Sequence, residues 1–273
     1  MEYTTEIIKY ESMPNKNYVT VDTNNSTYMF GHTIQFDNVI NVDDIENIEI
    51  ELMHCVITRI PIGVFKIFDL IHHTQTNTVI DIPKKLLFND ETYSGFPVGA
   101  FYNFCNIHYF IKSKKILSFT LICENKYNKE EHKAIYNTQL SIPVHLFQQV
   151  TINDEKDINL DLRGFCTGFF IETTKLPSRI LIKLITCTYF DYDKRTYKFS
   201  GDKILKNNGI IVYWIPFMPH RHWNDTNIDA GVNFSRIDKA SIHFPENFIG
   251  TIYFLTQNDL NIANRCIGLK QYI

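Results

Sequence analysis

The sequence is poor in the features that announce an enzyme. Among its 273 residues there are only 11 glycines, and none stands in a P-loop, a Gly-rich dinucleotide turn or a G-x-S-x-G elbow. Phosphate cradles of the usual kind are therefore not expected. The six cysteines (Cys55, Cys105, Cys123, Cys166, Cys187, Cys266) form no C-x-x-C and no close pair. Most sit in apolar company, as in "FTLIC" and "LIKLITC", and read as buried small hydrophobes of a reducing compartment. No apolar run approaches the ~18–20 residues of a membrane-spanning helix. A basic excess is missing too, with 27 Lys and Arg against 30 Asp and Glu for a net charge of −3. A grip on nucleic acid would call for a basic stripe. The longest basic stretch, Lys112, Lys114 and Lys115, reads as a solvated turn, so direct nucleic-acid binding is not expected. The sequons at Asn24, Asn25, Asn224 and Asn233 follow no signal peptide and are expected to stay unmodified, in a chain made in the cytosol and soluble there.

What the chain does have is aromatic and β-type sequence. Hydrophobic residues make up 44% and charged residues 21%, the balance of a globular protein with a core of its own, and 21 Phe with 15 Tyr favour strands over helices. After a polar start over 1–16, expected to be loose, short β-type runs follow closely: "NYVTVDT", "STYMFGHTIQF", "IENIEIELMHCVITRI", "GVFKIFDLIHH", "NTVIDI", "CNIHYFI" and "ILSFTLICE". Several alternate. Ile48, Ile50 and Leu52 would face one way, and Asn47, Glu49 and Glu51 the other. The turns between them carry Asn, Asp, Gly and Pro.

The rhythm breaks once, at the charged "ENKYNKEEHKAIYNTQ", where Asn128 with Glu131 three residues on has the form of a capping box for a short helix. β-type runs then resume, including "LSIPVHLFQQVTI", "INLDLRGFCTGFFIETT", "SRILIKLITCTYFDYD", "GIIVYWIPF", "KASIHF", "GTIYFLTQ" and "IGLKQYI". The expected fold is all-β: two consecutive eight-stranded sandwiches, over 17–127 and 140–273, joined by a short polar and helical linker at 128–139, with 1–16 as an N-terminal arm.

Candidate chemistry is thin. His220 and His222 in "PHRHW" are two apart, on one side of an extended chain, with Asp225 and the later His243 as further ligand candidates. No glutamate follows until Glu246, so metal binding is only a weak candidate beside a plain surface loop. His72 and His73 would point to opposite faces of a strand. Asp43–Asp44 and Glu130–Glu131 lie in polar segments and lack the apolar pocket that would split a carboxylate pair into acid and base. No catalytic residue, metal or cofactor is assigned.

One segment is more particular. "IIVYWIPF", then a proline- and histidine-bearing bend, then "AGVNFSRIDKASIHF" resembles the C-terminal part of the major capsid proteins of nucleocytoplasmic large DNA viruses. There an aromatic-edged strand is followed by a loop and an Asn-Phe-Ser-Arg-(Ile/Leu)-Asp segment entering another strand. Those residues stand here as Asn233, Phe234, Ser235, Arg236, Ile237 and Asp238. The closing stretch "GTIYFLTQNDLNIANRCIGLKQYI" is similar to that family's last strand and Gly-Leu terminus, with "NIANRCIG" in place of a Met-rich bend. Upstream, "NKYNKEEHKAI" resembles the charged segment joining the family's two jelly rolls, and "IPKKLLFNDETYSGFPVGAFYNFCNIHYFI" resembles the late strands of the first, with Pro83 and Pro97 in matching roles.

The resemblance implies a double jelly roll and a structural role in the virion. It implies homotrimers of pseudo-hexameric outline tiling an icosahedral shell, in contact with neighbouring capsomers and with minor capsid or inner-membrane proteins. Asn233 and Ser235 are expected to bond local backbone, Phe234 to plug the end of a sandwich, and Arg236 with Asp238, on one strand face, to meet opposite charges. Two other readings stay open: a minor capsid, vertex or scaffold protein of the same ancestry, and a glycan-binding β-sandwich using Trp214 or Trp223 as stacking faces.

Overall fold

The computed structural model describes residues 4–22, 26–73, 78–88, 95–101, 106–136, 138–185, 187–193, 203–205, 209–218, 222–223, 231–263 and 266–270. Its elements in chain order are β1 (Thr4–Glu11), β2 (Tyr18–Val21), β3 (Tyr28–Phe36), β4 (Ile45–Leu52), β5 (Cys55–Pro61), α1 (Ile62–Ile67), β6 (Ile71–His73), β7 (Thr78–Ile82), α2 (Lys84–Leu87), β8 (Ile107–Ser113), β9 (Phe119–Tyr127) and α3 (Lys129–Tyr136). There follow β10 (Leu140–Leu160), β11 (Phe165–Thr173), β12 (Arg179–Leu184), β13 (Cys187–Asp193), β14 (Lys203–Leu205), β15 (Ile211–Pro216), β16 (Val232–Asn233), β17 (Ala240–Ala263) and β18 (Cys266–Lys270). Two compact units result: residues 1–145 with 259–270, and 146–258 with 271–273. The division falls inside the long strands β10 and β17, and the last residues of β17 together with β18 belong with the first unit.

In the first unit one sheet runs β1-β9-β3-β7-β6, and β2-β8-β4-β5 are neighbours in another. The alternation in β4 is realised, since Ile48, Ile50 and Leu52 are buried. Glu49, on its polar face, is nevertheless only 4% exposed. Arg59 Nε donates to its Oε1 at 2.7 Å and Lys112 Nζ lies 3.4 Å from Oε2. Two cations thus replace the water that a buried carboxylate would lose.

Several sequence expectations are corrected. The start of the chain is not loose. Thr4–Glu11 pairs antiparallel with β9 over eight residues, with Ile8 and Tyr10 half-buried on the inner side. Within "GVFKIFDLIHH" only Ile71–His73 is a strand, and Ile62–Ile67 is helix α1 with Val64, Phe65 and Ile67 buried. A short, almost wholly apolar run carries no period that would separate the two forms. "SRILIKLITCTYFDYD" is two strands, β12 and β13, paired as a hairpin. The turn bears no Gly, Pro or Asn, and Ile185 takes φ +62° instead, a conformation that costs an L-residue about 1–2 kcal/mol. The helix expected near Asn128 is α3: Asn128 Oδ1 accepts from the N–H groups of Glu130 and Glu131, both at 3.0 Å. The capping box is not closed by Glu131, because the Asn128 N–H donates to Thr27 Oγ1 at 3.1 Å.

In the second unit β14-β15-β11-β17 form one sheet, while β12 pairs with β13 on one side and with the first residues of β17 on the other. β17 therefore serves two layers. Its Ala240–His243 segment pairs with β12 and its Thr251–Gln257 segment with β11. Between them the chain bends at Pro245–Asn247. Phe244 and Phe248 stack with ring centroids 4.4 Å apart, whereas four residues of straight strand would separate them by about 13 Å. Both rings enter a core built from both layers, including Ile180, Ile182 and Ile242 from one and Phe169, Ile215 and Phe254 from the other.

A buried polar contact joins the two sheets of the first unit: Tyr109 Oη and His32 Nδ1 lie 2.6 Å apart. Burial lowers the His32 pKa from 6.5 to about 4, with the bond to the Met29 backbone opposing it, and burial pushes the Tyr109 phenol well up. The unfolded chain takes up a proton near pH 6.5 that the folded chain refuses until about pH 4. Stability from this group is thus complete above pH 6.5 and is lost as the pH falls towards 4, by on the order of 3 kcal/mol. Denaturant midpoints measured from pH 7.5 to 4 should fall more steeply for the natural chain than for His32→Asn, which keeps a partner for Tyr109 but does not titrate. Parallel curves would refute this account.

Candidate assembly motif

The Asn233–Asp238 segment is built into the end of the second unit. β16 pairs with the start of β11, Asn233 opposite Phe165 and Val232 opposite Cys166. The chain then turns through a 3-10 turn over Phe234–Arg236. Asn233 Oδ1 accepts from the Ser235 N–H at 3.1 Å, and the Ile237 N–H donates to Phe234 O at 3.1 Å. Ser235 does more than fix its own turn: its Oγ accepts from the N–H of Gly164 at 2.8 Å, while the Phe234 N–H donates to Gly164 O at 3.0 Å. Gly164 sits at φ +86°, where a side chain would be strained. Both backbone groups of this one glycine are thus clamped by the motif.

Phe234 is 2% exposed, its ring 5.8 Å from that of Phe217 and 6.5 Å from that of Phe254. Phe169 extends the cluster, with centroids 5.8 Å from Phe217, 5.3 Å from Phe254 and 6.1 Å from Tyr192. The Tyr192 hydroxyl donates to Pro216 O at 3.1 Å and burial raises its pKa. Arg236 and Asp238 are both exposed. They do not share a strand face, because Arg236 ends the 3-10 turn and Asp238 precedes β17.

The other candidates separate. His220 lies outside the described residues, and His222 is exposed. His243 Nδ1 is bonded to Asp157 Oδ1 at 2.7 Å, and no group of three metal-binding side chains occurs among the described residues. Trp214 is wholly buried, 4.9 Å from Phe170, and Trp223 lies half-buried 6.2 Å from the same ring. Trp214 therefore offers no stacking face to a sugar. It rests on Gly168, where a Cβ would fall 2.6 Å from Trp214 Cη2. That glycine, within the aromatic strand "GFCTGFF", is a structural residue that an isolated glycine in a strand pattern signals. Asp43 and Asp44 bind Lys66 and Lys115, and Glu130 and Glu131 sit in the first turn of α3, where the helix dipole favours them.

The clamp sets the order of two substitutions. Phe234→Ala should cost about 3–5 kcal/mol through the cavity it leaves, and Ser235→Ala about 1–3 kcal/mol through the unpaired Gly164 N–H. Thermal and denaturant unfolding of the purified variants checks both. A Phe234→Ala chain as stable as the natural one would show that the ring is not a plug.

No family model matches the sequence, and no curated protein matches it. Solved structures do match. A chain of the PBCV-1 virus capsid superposes with a TM-score of 0.71 at 10% identity, covering 98% of this chain and 96% of that one. The Faustovirus major capsid protein gives 0.62 at 8% identity, covering 96% and 91%. The STIV major capsid protein gives 0.54 at 9%, covering 97% and 98%. At such identities the likeness is one of fold, and it runs through both units: the chain has the double jelly-roll fold of these viral capsid proteins.

Proposed function

We propose that this protein is a structural capsid protein of a large double-stranded DNA virus. It acts by self-association, as a homotrimer of pseudo-hexameric outline that tiles an icosahedral shell, and carries no catalytic activity. The observation that carries the reading is the extent of the fold match, 98% of this chain against 96% of the PBCV-1 capsid chain. The Asn233–Asp238 clamp supports it as a fold-fixing element in the position that the sequence resemblance assigns. The protein would reside in the virion after synthesis in the host cytoplasm. Its partners would be further copies of itself, neighbouring capsomers, and minor capsid or inner-membrane proteins. A net charge of −3 fits a shell that need not hold the genome.

The test is the solution mass of the purified chain by light scattering, with negative-stain images of the same peak. The expected particle has three times the chain mass of 32.1 kDa and a hexagonal outline. A pentamer would move the protein to a vertex role, and a monomer at all concentrations would remove the self-tiling reading.

A further inference from the structure

The turn between β12 and β13 leaves Ile185 66% exposed at φ +62°. A β-branched side chain avoids that conformation, and one facing water gains nothing from burial to offset it. Its N–H is held by Lys239 O at 2.7 Å. Ile185 stands on the rim of an open cavity of about 500 Å³. Leu160 and Ala240, 7% and 8% exposed, give this cavity apolar walls, and Asp161 and Asp238 line it as well. Both aspartates are exposed and neither makes an ion pair among the described residues; Lys239 is the cation beside them. The site is a mixed hollow: Asn159, Lys239 and Ser241 complete its lining, its apolar part is Leu160, Ala240 and Ile185, and its two carboxylates outnumber its one cation.

The first unit carries an exposed apolar side chain beside a cation. In the connection between β8 and β9, Ile116 is 66% exposed directly after Lys114 and Lys115. Asn17 holds this turn from below: its Nδ2 donates to Lys115 O and its Oδ1 accepts from the Leu117 N–H, both at 2.7 Å. Lys115 is tied to Asp44 at 2.6 Å. Lys114 is exposed and makes no ion pair among the described residues. A braced turn thus offers one bare isoleucine beside one unpaired cation.

We propose that the Lys114–Ile116 turn of one copy seats in the Ile185 cavity of the next, with Ile116 on Leu160, Ala240 and Ile185 and Lys114 between Asp161 and Asp238. The contact rests on the capsid reading above and names its interface. Because the two surfaces differ, the association is head-to-tail, and a finite particle requires that it close on itself. The small fold-level penalty at Ile185 then has a use, since its side chain is buried only in the assembly.

Charge exchange tests it, read as solution mass of the full-length chain across a dilution series. Asp161→Lys with Asp238→Lys should reduce the particle to single copies, and so should Lys114→Glu. Combining all three in one chain should restore the natural mass. Ile185→Gly should leave the melting temperature unchanged or higher, since glycine accepts φ +62°, yet raise the dissociation concentration at least tenfold. If the natural chain is a trimer and the charge variants remain trimers, the interface lies elsewhere and the capsid reading stands. A folded triple variant that stays monomeric overturns the pairing of this turn with this cavity. A monomeric natural chain overturns both proposals.

Discussion

A sandwich is stable only if both of its layers bury their inner faces against each other, and in the second unit one strand, β17, takes part in both layers. β17 hydrogen-bonds to β12 with its first residues and to β11 with its later ones, so it must leave one layer and enter the other without breaking. Pro245, which cannot donate to a ladder, lies between the segment paired with β12 and the segment paired with β11. The stacked Phe244 and Phe248 fill the inside of the bend, and on the far side Gly250 lies so close to the Glu172 carbonyl that a Cβ would fall 2.5 Å from it. Strands that switch sheets at such bends form the corners of β architectures. The rings at this bend belong to the same hydrophobic core as Phe169 and Phe254.

The clamp at Gly164 follows from the same geometry. β11 must begin where β16 can pair with it, and its first residues are fixed by both backbone groups of Gly164. Gly231 meets the Cys166 carbonyl so closely that any side chain there would collide with it. The Asn-Phe-Ser sequence thus performs three separate tasks. Asn233 shapes the turn, Ser235 ties it to a residue 71 positions away, and Phe234 closes the core. Its specificity lies in that combination.

Much of this could be read from the chain, where the period of the side chains carried it. The alternation of Ile48, Ile50 and Leu52 predicted a half-buried strand, and they are buried. Asn128 before a charged run predicted the start of a helix, and it caps one. What could not be read depends on partners far along the chain. Glu49 belongs to a polar face by alternation, yet Arg59 and Lys112 cover it. The hydroxyl of Ser235 would be expected to serve its own turn, and its partner is Gly164. α1 hides in an apolar run without period, and the β12–β13 turn hides because Ile185 occupies a position that turn chemistry assigns to Gly or Asn. In each case the missing information is tertiary, and no local window contains it.

The buried thiols bear on a different question, the solvent conditions under which this packing persists. Burial pushes the Cys123 thiol up to about 12 and that of Cys166 higher still. The thiolate is the form that oxidises and exchanges disulfides, and it is scarce at both sites at any ordinary pH. These two thiols therefore react slowly with oxidants and with other disulfides. A protein assembled among reduced thiols and later surrounded by oxidants would be slow to change at either position.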